Sequence, residues 1–347
     1  MSSASSRRAR DAHAHVHLLS CLVLLALGAG ACARGPAVRF EQGARALTVK
    51  RPALYPETIA HNPRTDKFLL GSFREGAIYQ VEQDGSVARL VDDPRLCSVL
   101  GIAVDSARGR LWALSSDLGA SLKPSPGGAK SLAAVAVYDL TRGKPLYYVD
   151  LAGLAEGPHL ANGIALDAAG NAYVTDSFAP AVYKVDAQGR ASLFVSSPQF
   201  AGEGISLNGV VVHPDGYLLL IKKSDGALFK VPLADPARFS RVRVEKPLVG
   251  GDGLTLIGTN ELIVIANQTP ELAANAAYAL ASEDDWQSAK LRSVQKLGDV
   301  YPTTAVLRGD TVYVVASKLN ELIEAAPEQK AQLREQATIQ AIAKVRL

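Results

Sequence analysis

Short apolar runs recur along the chain in pairs, each pair joined by a polar turn. "IALD" and "AYVTD" flank "AAGN" at residues 164–176, and "VVVHPDGYLLLI" at 210–221 does the same around "PDG". Two such runs separated by a Gly- or Asn-containing turn predict a β-hairpin. Six segments share this form and begin at Glu57, Leu100, Asn162, Asn208, Asp252 and Thr303, at spacings of 43, 62, 46, 44 and 51 residues. Most continue into a third strand ("GAIYQVE", "AVAVYDL", "AVYKVD", "ALFKVPL") and often a fourth ("ARLV", "ASLFV"). Four antiparallel strands repeated about every 40–50 residues predict an all-β, six-bladed β-propeller, in which both faces of a blade are covered and strands stay apolar throughout.

This reading makes residues 46–347 one domain. "ALTV" at 46–49 is placed to complete the last blade from outside, and "ELIEAAPEQKAQLREQ" predicts a helical insertion near 321–336. The Pro-, Gly- and Ser-rich stretch 118–133 is the longest interruption of the period and reads as a loop.

Residues 1–32 read as an export signal. A basic, polar start precedes "LLSCLVLLALGAGA", which is too short to span a bilayer and ends in small residues. Cys32 then stands where a bacterial lipoprotein is lipidated, although Ala29 replaces the usual Leu; ordinary cleavage after Ala31 or Ala33 is the alternative. Arg7-Arg8 lacks the apolar residues of a twin-arginine signal, and His13, His15 and His17 lie in the segment expected to be removed. The expected location is the bacterial envelope, periplasmic or lipid-anchored, or secretion; membrane attachment is expected only through Cys32. Cys97 is the one thiol left in the body, so no intramolecular disulfide is expected. The net charge is +3, Arg7, Arg8 and Arg10 supply much of it, and the body has no basic run, so no nucleic-acid partner is expected.

The first strand of every blade runs along a propeller's axis, so the six starting residues converge at the mouth of the central channel. Glu57, Asn162, Asn208 and Asp252 carry oxygen ligands; Leu100 and Thr303 complete the ring. Two carboxylates and two carboxamides suit a hard cation, Ca²⁺ above Mg²⁺ or Mn²⁺, and the lack of His and Cys argues against Zn²⁺. Each Asn-Gly or Asp-Gly alone is an ordinary turn signal. Four oxygen-bearing residues at one repeat position are harder to explain that way.

"YPETIAHNP", "NGIALD", "SLNGVVVHPDG" and "GGDGLTL" resemble the metal-ligand motifs of the six-bladed senescence-marker-protein-30/gluconolactonase family, with paraoxonases and diisopropylfluorophosphatase as more distant relatives. The resemblance covers roughly residues 50–320. It implies Glu57, Asn162, Asn208 and Asp252 as Ca²⁺ ligands, hydrolysis of a lactone or ester, and Asp252 as base or nucleophile with Glu57 beside it. No sugar-binding arginine precedes Asn162, where "GPHLAN" stands, so gluconolactone is not singled out as substrate.

The ends of the second strands return to the same face. They predict Phe73, Arg74, Asp117, Asp176, Lys222, Asn267 and Lys318 around the mouth, with Asp176, Asn267, Arg74 and Asp117 as candidates to contact substrate. His159 is a further candidate, without an identifiable partner. His61 and His213 read as solvated turn residues on the far face, and the 118–133 loop as a lid. The competing readings are a non-catalytic binding propeller with a structural metal, and a phosphotriesterase-type activity using the same ligands.

Overall fold

The computed structural model describes residues 38–41, 46–269 and 274–346; Cys32 and the rest of the leader lie outside them. The described residues form six antiparallel blades. Blade 1 comprises Pro56–Asn62, Lys67–Ser72, Ala77–Val81 and Val87–Asp92, and blade 2 comprises Ser98–Asp105, Arg110–Ser116, Ala133–Asp139 and Pro145–Asp150. Blade 3 comprises Ala161–Leu166, Ala172–Asp176, Ala181–Val185 and Ala191–Ser196, and blade 4 Leu207–His213, Tyr217–Lys222, Leu228–Pro232 and Ser240–Val244. Blade 5 comprises Gly251–Ile257, Glu261–Thr269, Ala274–Ala281 and Ser288–Gly298. A parallel pairing of Arg243 with Ser288 and Val244 with Ala289 joins blades 4 and 5 edge to edge.

Blade 6 is Tyr301–Arg308, Thr311–Ser317 and Thr338–Val345, and its outer edge comes from the other end of the chain. Val38–Phe40 and Ala46–Thr48 both pair antiparallel with Thr338–Val345, Val38 opposite Val345 and Ala46 opposite Gln340. The ring is therefore closed by hydrogen bonds between the chain's two ends, which removes the open edges a sheet would otherwise expose.

The unbroken apolar runs follow from packing on both faces. In the strand Tyr217–Lys222, Tyr217, Leu219 and Ile221 pack toward blade 5 with Leu262, Val264 and Ala266. Leu218 and Leu220 pack toward blade 3 with Tyr173 and Val182. Successive side chains of a strand point to opposite faces, so both sets must be apolar. Outer strands such as Val87–Asp92 keep only one buried position and turn polar.

Each inner strand carries a register irregularity at its start, between Pro56 and Thr58, Val99 and Ile102, Ala161 and Ile164, Leu207 and Val210, Gly251 and Leu254, and Pro302 and Thr304. A bulge there takes one residue out of the ladder and re-aims its side chain. The glycine that follows is required by close approach and not by a hairpin. A Cβ on Gly163 would lie 2.3 Å from the Asn208 carbonyl oxygen, and one on Gly209 would lie 2.3 Å from that of Asp252. Neighbouring inner strands thus pass backbone against backbone at the ring.

Candidate functional site at the central channel

Glu57, Asn162, Asn208 and Asp252 all line one central cavity of about 300 Å³, walled further along by the inner-strand residues Ile59, Ile102, Val210 and Leu254. All four are buried. The Asn162 amide donates through Nδ2 to Ser177 Oγ at 3.0 Å, and its oxygen has no hydrogen bond among the described residues. Among the described residues, the Glu57 carboxyl and the Asn208 amide have no side-chain hydrogen bond. Burial pushes the Glu57 carboxyl well above its ordinary pKa, and the nearby Asp252 charge adds to this, opposed by Lys223. The other two ring members do different work. The Thr303 hydroxyl donates to the Glu57 carbonyl oxygen, stitching blade 6 to blade 1, and Leu100 packs into an apolar cluster.

Asp252 is the most constrained member. Its Oδ2 accepts from Lys223 Nζ at 2.7 Å and from Asn267 Nδ2 at 2.6 Å, and Asn267 also donates to the Pro302 carbonyl oxygen at 3.0 Å. Lys223 Nζ further donates to Asn267 Oδ1 and sits 5.6 Å from the Tyr301 ring centroid. Burial pulls the Lys223 ammonium toward neutrality, but the Asp252 charge, Tyr301 and Glu57 more than reverse this and raise its pKa. Lys223 is the residue that reading the sequence missed. The second strand of blade 4 ends at Lys222, which turns away to Asp225 Oδ2 at 3.1 Å and the Gln199 carbonyl oxygen at 3.2 Å. The next lysine takes the place at the ring, and the only sequence signal was the doublet "KK".

The remaining candidates have definite places. Asn267 lies in the Asp252 cluster. Asp176 is fully buried and accepts from the Leu160, Phe178 and Ala179 N–H groups, from the Tyr183 hydroxyl and from His159. It therefore supplies His159 with the partner that sequence reasoning did not find. Arg74 Nη1 donates to the Ala120 carbonyl oxygen at 3.0 Å, and Asp117 accepts from the Gly119 and Ser125 N–H groups, so both anchor the 118–133 loop. Lys318 pairs with Glu321. His213 is a correction: it is buried, bonded to the Thr259 carbonyl oxygen at 2.7 Å and stacked on Tyr217, because the adjoining blade covers the turn. His61 bonds Asp66 at 2.9 Å.

An apolar cap packs beside the ring residues. Between the last two strands of blade 6 the chain forms α1 (Leu319–Glu324) and α2 (Pro327–Lys330). Leu319 and Leu322 of α1 pack with Tyr55, Phe73, Leu100 and Leu160, three of which lie at or two residues before ring positions. Ala120 of the 118–133 loop joins them, and Lys330 Nζ donates to the Gly119 carbonyl oxygen at 3.2 Å. Beside the cap, a pocket of about 340 Å³ is lined by Ile205, Lys223, Asn267, Tyr301 and Ile323.

Among the described residues no three of His, Cys, Asp and Glu cluster as ligands, so a cation here depends on the two carboxylates together with the two carboxamides. That donor set is all oxygen and fits a hard divalent ion. The unbonded Glu57 carboxyl, the free Asn162 oxygen and the second oxygen of Asp252 are available to it. Lys223 takes part of the same charge.

No protein-family model matches the chain, and no curated protein matches its sequence. Solved structures do match. The Malassezia sympodialis allergen Mala s 1 is similar with a TM-score of 0.65 at 18% identity, covering 86% of this chain and 95% of that one. Regucalcin from Agrobacterium tumefaciens, described as a calcium-binding protein, matches with a TM-score of 0.57 at 12% identity over 88% of this chain and 95% of that one. A gluconolactonase from Xanthomonas campestris matches with a TM-score of 0.56 at 13% identity over 86% of this chain and 90% of that one. The chain has the propeller fold of these proteins.

Proposed function

We propose that the chain is an exported hydrolase of lactones or related esters that works with a divalent cation, Ca²⁺ by preference, at the central ring. The observation that carries this reading is the convergence of Glu57, Asn162, Asn208 and Asp252 on one buried cavity with no nitrogen or sulfur ligand among them. The fold shared with a gluconolactonase and with a calcium-binding regucalcin supports it. A cation bound there would supply Lewis-acid polarisation of the ester carbonyl and stabilise the developing oxyanion. Glu57, Asn162, Asn208 and Asp252 would hold it. Asp252 is fixed through Oδ2 by Lys223 and Asn267, which leaves Oδ1 to take a proton from water or to attack the carbonyl. The apolar pocket beside the cap, lined by Ile205, Tyr301 and Ile323, favours a substrate with an apolar body over a free sugar lactone. The leader and Cys32 support an envelope location, lipid-anchored or periplasmic.

The test is hydrolysis of a panel of lactones, aryl esters and phosphotriesters by the mature protein, read by pH release, with Ca²⁺ and again after chelation. Turnover of apolar lactones or esters that is lost on chelation and restored by Ca²⁺ is the expected result. Absence of turnover on the whole panel would favour the second reading, a ligand-binding propeller. The contact of Lys223 with Asp252 is the observation on that side, because it neutralises one of the two ring carboxylates without any metal.

A further inference from the structure

Lys223 is built into the ring and does not reach it by chance of a long side chain. Its N–H donates to the Ser206 carbonyl oxygen at 2.8 Å, and its own carbonyl accepts from Gly250 N–H at 3.0 Å. These residues lie immediately before the inner strands of blades 4 and 5. The residue is thus pinned between two ring positions, and its side chain, 14% exposed, spans from blade 4 to Asp252 of blade 5. Buried charges are retained when they are paired and hydrogen-bonded, and this ammonium meets that condition with Asp252 Oδ2 and Asn267 Oδ1. The carboxylate it bonds is the one that a ring-bound cation must also use. The preceding lysine, Lys222, points away to Asp225, so a single turned residue decides whether the ring holds an internal positive charge.

We propose that Lys223 is the internal counter-ion of the ring and sets its cation affinity: the ammonium competes with a divalent ion for Asp252, so the ring binds Ca²⁺ weakly while Lys223 is charged and in place. The inference rests on the reading of the ring as a cation site, and extends it to how tightly the ring holds its ion. A positive charge one contact away from a shared, poorly solvated ligand costs a second cation at least one order of magnitude in affinity.

Calorimetric titration of CaCl₂ into the full-length mature protein tests this, with Lys223→Met, Lys223→Gln and Asn208→Leu alongside. Lys223→Met should bind Ca²⁺ about tenfold or more tightly than the wild type. It should also melt at a lower temperature without Ca²⁺ and gain more from Ca²⁺ than the wild type does. Lys223→Gln keeps a donor toward Asp252 and Asn267 and removes only the charge, and it serves if the methionine variant does not fold. Equal or weaker Ca²⁺ binding by the lysine variants, with binding still abolished by Asn208→Leu, would overturn the counter-ion proposal and leave the ring site standing. Absence of Ca²⁺ binding in every folded variant, Lys223→Met included, would overturn both.

Discussion

His159 Nδ1 lies 2.9 Å from Asp176 Oδ2, and both side chains are almost wholly shielded from water. The pair stands directly before the strand that delivers Asn162 to the ring. Asp176 also receives three backbone N–H groups and the Tyr183 hydroxyl, so one carboxylate fixes both the turn after its own strand and the chain leading into the inner strand of the same blade. Replacing it strands several buried donors at once. Asp176→Ala is expected to cost about 3 kcal/mol or more in urea unfolding, whereas a substrate-contacting aspartate at a wet rim would cost little. A loss below about 1 kcal/mol would contradict the structural role.

The glycines after the ring residues make a second test, because two kinds of glycine are present. Gly209 has the Asp252 carbonyl oxygen 2.3 Å from where a Cβ would be, and Leu254 N at 3.0 Å. Gly258 has a positive φ of 59° but open space around it. Gly209→Ala must push two blades apart at the ring and is expected to cost about 3 kcal/mol, while Gly258→Ala bears only backbone strain of about 1 kcal/mol. Equal effects in chemical denaturation would mean that the inner strands are not in tight register.

These glycines also show what was legible in the sequence. The hairpin pattern and its spacing were enough for the propeller, because a blade packed on both faces needs runs such as "YLLLI" that few other architectures tolerate. The ring positions could be read because the same repeat slot returned oxygen-bearing residues in four blades. What could not be read was anything that depends on a register of one residue. The bulge at each inner strand shifts the facing strand end, so Lys222 and Lys223 exchange the places that simple alternation assigns. The cap was hidden for another reason. Leu319 and Leu322 are unremarkable in a short helix, and only folding brings them over Leu100 and Leu160, more than 150 residues away in the chain.

Asp252→Asn separates chemistry from architecture. The amide keeps the shape and can still accept from Lys223 and Asn267, but it cannot take a proton or attack a carbonyl. Hydrolysis should be lost while the circular-dichroism spectrum of the folded protein is retained. Stability should fall by roughly 3 kcal/mol, because the buried Lys223 ammonium loses its counter-charge. Full activity in this variant would remove Asp252 from the reaction.

Cys97 gives a pH dependence with a defined sign. Burial, with the charge of Asp117 beside it, pushes the thiol up to about 12. The folded protein therefore holds the proton more tightly than the unfolded chain, whose thiol titrates near 9. The stability tied to the thiol is complete below that pH and is lost as the pH climbs from about 9 toward 12. Urea midpoints should fall across that range more steeply for the wild type than for Cys97→Ala, and the native thiol should resist disulfide-exchange reagents at pH 8. Rapid labelling of the native protein at pH 8 would show that the 118–133 loop does not cover it.

Leu322 tests whether the cap selects substrate or only stabilises the fold. Its side chain is fully buried between α1 and the ends of the inner strands. Leu322→Ala leaves a cavity there, and a loss of about 2–4 kcal/mol is expected from the removed packing alone. A purely structural cap would lower the melting temperature and leave the ranking of substrates unchanged. A cap that forms the wall of the substrate site would do more. KM for lactones with long alkyl chains should rise about tenfold, with kcat nearly unchanged, because the lost contact holds the apolar body equally in the ground and transition states. Short-chain lactones, which do not reach the cap, should be hydrolysed as before. Measuring both chain lengths at a temperature well below the variant's melting point keeps the stability loss out of the comparison. An equal change for short and long chains would place the substrate elsewhere, with the pocket lined by Ile205, Tyr301 and Ile323 as the next wall to alter.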